Sequence, residues 1–212
     1  MKKKLLLFGD SFVDYRFVAE PHFLTYYHRL KDHFDVQNFG RCGTGPKFSL
    51  QQFINQDKNL NNKKNTNILF VASQWGRFNF KFYIHTDHHI YGILSEEEKK
   101  KYKWTKPYKK YDDFIKSFYK NYVLHNSTDN ILLQNMLLVK HYARNYNKCI
   151  YWPIFEMLDD EVRELYNSEK FYIPDYRLGK LMETGNTYPN HMTLESHNKV
   201  YQLIIDVFNE TS

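Results

Sequence analysis

Three features of this sequence predict an α/β domain around a central parallel sheet of about five strands, with helices on both faces. Short, almost wholly apolar runs recur at residues 4–8, 68–72 and 148–154, the pattern of strands buried on both sides. Between them, aromatic and aliphatic residues recur at helical spacing. The first apolar run stops abruptly in Gly9-Asp10-Ser11, which delivers a serine to the carboxyl end of a strand, where open α/β sheets bind their ligands.

Taken in order, Lys4–Phe8 is the first strand, and Gly9 permits the sharp turn after it, with Asp10 placed to cap the next segment. Pro21 suits the first turn of a helix that carries Phe23, Tyr26, Tyr27 and Leu30. Residues 35–39 make a second strand, ended by Gly40, Gly43 and Gly45, and a helix through residues 48–54 follows. The polar stretch 59–67 is the clearest break before the strand at 68–72. Residues 78–126 are irregular, aromatic and charged, longer than a crossover loop, and read as a helical insertion. A helix over 132–146 (Leu133, Met136, Leu137, Lys140 and Ala143), a strand at 148–154 and a short strand at 171–173 come next. Thr193 caps a last helix with an expected buried face of Leu194, His197, Tyr201, Ile204 and Phe208.

A chain of 212 residues suits one domain with a sizeable core. The 18 Tyr and 17 Phe supply that core, so low hydropathy does not signal disorder. Two cysteines, Cys42 and Cys149, stand in no metal-type spacing, which favours a reduced compartment and leaves one bridge open. Lys2 to Lys4 before an apolar run resemble a signal peptide, but the run is too short and meets Gly-Asp where a cleavage site belongs. A cytoplasmic location is therefore expected, with association with a virion or host if the source is a phage. No stretch approaches membrane-spanning length. The net charge of +6 has a plain cause in the abundance of Lys, Asn, Tyr, Phe and Ile, which A- and T-rich coding favours, so nucleic acid is not the expected partner. The dense basic and aromatic stretch at 99–110 reads as a solvated face, with binding of an anionic or sugar ligand as the alternative.

Chemistry concentrates in a few blocks: Gly9-Asp10-Ser11, then Asn38-Phe39-Gly40-Arg41-Cys42-Gly43-Thr44, then Ser73-Gln74-Trp75, and Asn190-His191-Met192-Thr193 before the last helix. In this order the blocks resemble the SGNH (GDSL-type) hydrolase family over nearly the whole chain apart from the insertion. The resemblance implies a flavodoxin-like three-layer fold and serine-dependent ester hydrolysis through an acyl-enzyme, without a cofactor. It implies Ser11 as nucleophile and His191 as the base that takes the Ser11 proton and returns it to the leaving alcohol. It also implies an oxyanion hole from the backbone N–H groups of Ser11 and Gly43. Small acyl groups, such as O-acetyl esters on carbohydrate, are the implied substrate class, so an ester or acylated glycan is the expected partner. Asp10 and Arg77 are placed with the substrate-binding residues.

This sequence departs from the family pattern twice. The third block lacks the Gly-x-Asn-Asp asparagine that normally donates to the oxyanion; Ser73 or Gln74 takes its place, Ser73 being slightly preferred. A Ser/Thr-containing stretch ending in Arg resembles bacteriophage-encoded members. The aspartate usual three residues before the histidine is Tyr188 here, leaving a Ser11–His191 dyad, with Asp175 or Glu183 as alternatives to orient the imidazole. These departures keep open a catalytically silent domain that binds glycan or serves a structural role. His197, on the apolar face of the last helix, reads as a buried structural histidine. His85, Asp87, His88 and His89 match no strong metal-ligand spacing, so no metal is expected.

Overall fold

Apolar runs without polar alternation form the middle of the sheet, because such strands are stable only when covered on both faces. The computed structural model describes residues 2–14, 25–41, 44–73, 128–154, 157–181 and 192–209. Among these, strands β1 (Lys4–Phe8), β2 (Asp35–Asn38), β3 (Thr66–Ala72), β4 (Lys148–Pro153) and β5 (Phe171–Tyr172) form one sheet. All four pairings are parallel, in the order β2-β1-β3-β4-β5. β3 is buried along its whole length, while β2 at the edge alternates exposed and half-buried residues. The described helices are α1 (Tyr26–Arg29), α2 (Pro46–Asn59), α3 (Thr128–Ala143), α4 (Asp160–Tyr166) and α5 (Leu194–Asn209).

Because strand side chains alternate, successive residues of β1, β3 and β4 feed opposite faces. Leu5, Leu7, Leu69, Val71, Ile150 and Trp152 join Tyr26 and Tyr27 of α1 and Val200, Ile204 and Val207 of α5 in one buried cluster. Leu6, Phe8, Ile68, Phe70, Cys149 and Tyr151 join Phe53 of α2 and Leu132, Met136 and Val139 of α3 in the other. The result is a three-layer α/β sandwich, and the strand order is that of a flavodoxin-like sheet. Aromatic rings carry much of the second cluster: Phe8 stacks on Phe39 at 5.2 Å and Phe70 on Tyr151 at 5.8 Å.

Several expected boundaries move, each for a local reason. The helix around Tyr26 begins there and not at Pro21, since Thr25 is extended (φ −69°, ψ 163°), and a 3₁₀ turn at Leu30–Asp32 finishes it; Pro21 and Phe23 lie outside the described residues. α2 starts at Pro46, where a missing N–H costs nothing, and continues to Asn59. The expected polar break at 59–67 is therefore short, with a 3₁₀ turn at Lys63–Asn65 and with Thr66 and Asn67 already buried in β3. On α3 the buried apolar positions are Leu132, Met136, Val139 and Ala143, and Leu137 is exposed; the helix also ends three residues before Tyr146. On α5 Leu194 is exposed, and Val200 and Val207 share the buried face with His197, Ile204 and Phe208. Thr193 caps α5 as expected, its hydroxyl accepting the Ser196 N–H at 3.2 Å. α4 was not anticipated; Asp159, Asp160 and Glu161 at its N-terminus suit the positive end of the helix dipole. Cys149 is a free, fully buried thiol. No helix among the described residues is long and apolar enough to cross a membrane. The insertion at 78–126, with the basic stretch 99–110, lies outside the described residues.

Candidate active site

The chain leaves β1 for β2 on one side and returns across β1 to β3 on the other, so the sheet reverses its winding between β1 and β3. A crevice forms at such a point, beyond the carboxyl ends of the two strands. The last register pair is Phe8 with Phe70, and Ser11 and Ser73 each lie three residues beyond it. The two serines from the first and third blocks thus emerge at the same end of adjacent strands.

Ser11 sits on a single helical turn. Asp10 accepts the N–H of Val13 (3.1 Å) and of Asp14 (3.0 Å) on its carbonyl and that of Phe12 on its carboxylate (3.1 Å). The capping role expected of Asp10 is therefore present. Its carboxylate is fully buried and tied into the turn, which suits holding the nucleophile better than touching substrate. The Ser11 N–H is not among the amides that Asp10 takes up. Ser11 is buried, and its hydroxyl has no hydrogen-bond partner among the described residues.

Close packing sets the turn against the second block. Gly9 has φ +158°, and a Cβ there would lie 2.7 Å from Val13 Cγ2 and 3.0 Å from Val71 Cβ. Gly40 likewise leaves no room for a side chain beside Val13. The Arg41 N–H donates to the Gly9 carbonyl at 3.1 Å, and the Asn38 side chain bridges the Val13 carbonyl and the Gly40 N–H. Asn38 was read only as part of a block; its signal was an amide at the exit of a strand, where turn backbone needs side-chain partners.

Beyond Arg41 the loop closes on itself: Thr44 donates to the Arg41 carbonyl through its hydroxyl (2.7 Å) and its N–H (3.3 Å). Ser73, buried at the end of β3, donates its hydroxyl to the Thr44 carbonyl at 3.0 Å. A serine has one hydrogen to give. Here it goes to Thr44, so an oxyanion would receive it only if that bond were released. Gly43, Gln74 and Arg77 lie outside the described residues, as do His191, Tyr188 and Glu183, and the histidines at 85, 88 and 89. Asp175 is exposed, beside Tyr176.

The start of α5 comes to this end of the sheet. α5 runs antiparallel to the strands: His197 in its first turns accepts the Tyr26 N–H on Nδ1 at 3.4 Å, and at its other end the Val207 carbonyl accepts Lys148 Nζ at 2.6 Å. Phe12, next to Ser11, and Met192, next to His191, belong to one buried cluster. His197 is buried, its ring tilted against that of Tyr26 (5.7 Å between centroids), as expected of a structural histidine.

This architecture has a solved counterpart. A crystal structure of a member of the lipolytic protein G-D-S-L family from Veillonella parvula DSM 2008 superposes with a TM-score of 0.51. The match covers 98% of this chain and 99% of that one, at 12% sequence identity. This chain has that protein's fold. No family model matches the sequence, and no curated protein matches it either. At such identity the likeness speaks for the fold, and the chemistry has to be argued from the side chains.

Proposed function

We propose that the protein is a serine-dependent ester hydrolase that works through an acyl-enzyme on Ser11. The observation that carries this reading is the Ser11 hydroxyl, buried and without a partner among the described residues, on a tight turn at the switch point of the sheet. Leaving a buried hydroxyl unpartnered costs about 1–3 kcal/mol, a cost that a nucleophile awaiting its base explains. Ser49 also has an unpartnered hydroxyl, but it lies in the first turn of α2 and not on the turn that follows β1. The G-D-S-L lipolytic protein of the same fold supports the reaction class.

In the proposed mechanism His191 removes the Ser11 proton as its oxygen attacks the ester carbonyl, and then protonates the leaving alcohol. Water attacks the acyl-enzyme by the same route in reverse. The N–H groups of Ser11 and Gly43 stabilise the oxyanion. With the Ser73 hydrogen directed at Thr44, Gln74 becomes the better candidate for the third donor, and Ser73 holds the loop that carries Gly43. O-acetyl or other small acyl esters on carbohydrate are the proposed substrates, with Arg77 near them.

Treatment with a fluorophosphonate followed by peptide mapping tests the reading, with hydrolysis of short acyl esters measured alongside. Labelling confined to Ser11 with ester turnover supports it. A folded protein that neither labels nor turns over esters supports a silent domain of the same fold.

A further inference from the structure

The turn that carries Ser11 is one helical turn long and is not continued at Asp14. The carbonyls at the end of such a turn are open to side-chain donors. Three side chains from elsewhere in the chain donate to them. Tyr26 donates its hydroxyl to the Phe12 carbonyl at 2.6 Å, Asn38 binds the Val13 carbonyl, and Tyr27 reaches the Asp14 carbonyl at 3.4 Å. The Tyr26 bond is the shorter of the two tyrosine contacts and the nearest to the nucleophile. Tyr26 is fully buried, so its hydroxyl has no water to fall back on. Its backbone N–H meanwhile donates to His197 on α5, the helix that His191 precedes in sequence by three residues.

We propose that Tyr26 is a positioning residue for the nucleophile: its hydroxyl fixes the Ser11 turn through Phe12, while its amide fixes α5 through His197. One residue thereby joins the Ser11 turn to the first turns of α5. The inference rests on the hydrolase reading for its catalytic consequence and on geometry alone for the brace. Tyr26→Phe keeps the ring, and with it the contacts to Tyr27 and His197, while removing the hydroxyl.

The test compares parent and Tyr26→Phe, as full chains at a temperature where both are folded, by fluorophosphonate labelling and by amide hydrogen exchange. The labelling rate at saturating probe is expected to fall about tenfold with an unchanged half-saturating concentration, since binding is untouched and only the approach of Ser11 is loosened. Exchange at the Val13 and Asp14 amides is expected to accelerate by about the same factor. Tyr27→Phe, which loses the longer bond at the far end of the turn and a contact with the Thr25 side chain, should show a smaller change in both. Parental labelling and exchange rates in folded Tyr26→Phe overturn the proposal. If the parent does not label at all, the hydrolase reading falls, and the exchange rates alone decide whether Tyr26 holds the turn.

Discussion

The Ser73 hydroxyl and the Thr44 carbonyl, 3.0 Å apart, tie the end of β3 to the loop between β2 and α2. Both residues are buried, so a lost bond is not replaced by water. Ser73→Ala should lower the unfolding free energy by about 1–3 kcal/mol, the cost of an orphaned buried carbonyl. Urea denaturation measures this. The same variant should reduce kcat, because the loop that carries Gly43 is no longer held. A full kcat loss of roughly a hundredfold without any loss of stability would instead make Ser73 a direct oxyanion donor.

Gly9→Ala should disrupt the nucleophile turn outright. The new methyl group would press on Val13 and Val71, and the backbone conformation at φ +158° disfavours any side chain. Overpacking of this kind costs about 1–3 kcal/mol. Loss of fluorophosphonate labelling should exceed what the unfolded fraction explains, because relief of the clash moves Ser11. Labelling of the folded fraction at the parental rate would contradict this.

Ser11→Ala should abolish labelling and lower turnover by up to about a millionfold. Ser11→Ala/His191→Ala should be barely slower than either single variant, since a base has no task without its nucleophile. His197→Ala should behave differently: it removes the acceptor of the Tyr26 N–H and a buried ring, so stability falls while folded protein loses no more than the roughly tenfold that the Tyr26 brace supplies. Steady-state kinetics beside unfolding curves separate the two. Inactivity of fully folded His197→Ala with activity in His191→Ala would exchange their roles.

Burial pushes the Cys149 thiol above its ordinary value of 9.0, and burial, helped by Tyr27 and Asp10, pushes the Tyr26 phenol above 10.0. The folded state then holds these protons more tightly than the unfolded chain. Their contribution is complete below the ordinary values and is lost as pH rises toward the folded ones. Stability should therefore decline from about pH 9 upward, by about 1.4 kcal/mol per pH unit for each group engaged. Urea midpoints between pH 8 and 11 measure it. Cys149→Ala should delay the onset by about one pH unit, leaving the tyrosine to dominate. An unchanged onset would show that the thiol is not the first group to act.

Much of the fold was legible because its signals are local. The runs 4–8 and 68–72 are apolar without alternation, and only a strand covered on both faces satisfies that pattern. Thr193 was readable as a cap because its hydroxyl lies three residues from the N–H it accepts. Boundaries failed where local preference and burial disagree. Thr66 and Asn67 look like loop residues by composition, yet β3 begins with them, because pairing with β1 and β4 extends the strand past its apolar run. On α3 Val139 is buried and Leu137 exposed, a choice the sequence left open, since several apolar stripes fit it and only the sheet beneath selects among them.

By itself the sequence determined the parallel α/β class and the placing of Ser11 at a strand end, for the apolar runs and the Gly9 break are properties of neighbouring residues. The tertiary structure decided which partners the turn has. Tyr26 lies 14 residues from Phe12, His197 lies 171 from Tyr26, and Ser73 lies 29 from Thr44. Hydrogen bonds of such separation depend on strand order and helix packing, which no local pattern encodes. Whether the Ser73 hydrogen faces a substrate or a carbonyl was likewise a matter of register between β1 and β3 and of where the loop after β2 comes to rest against them.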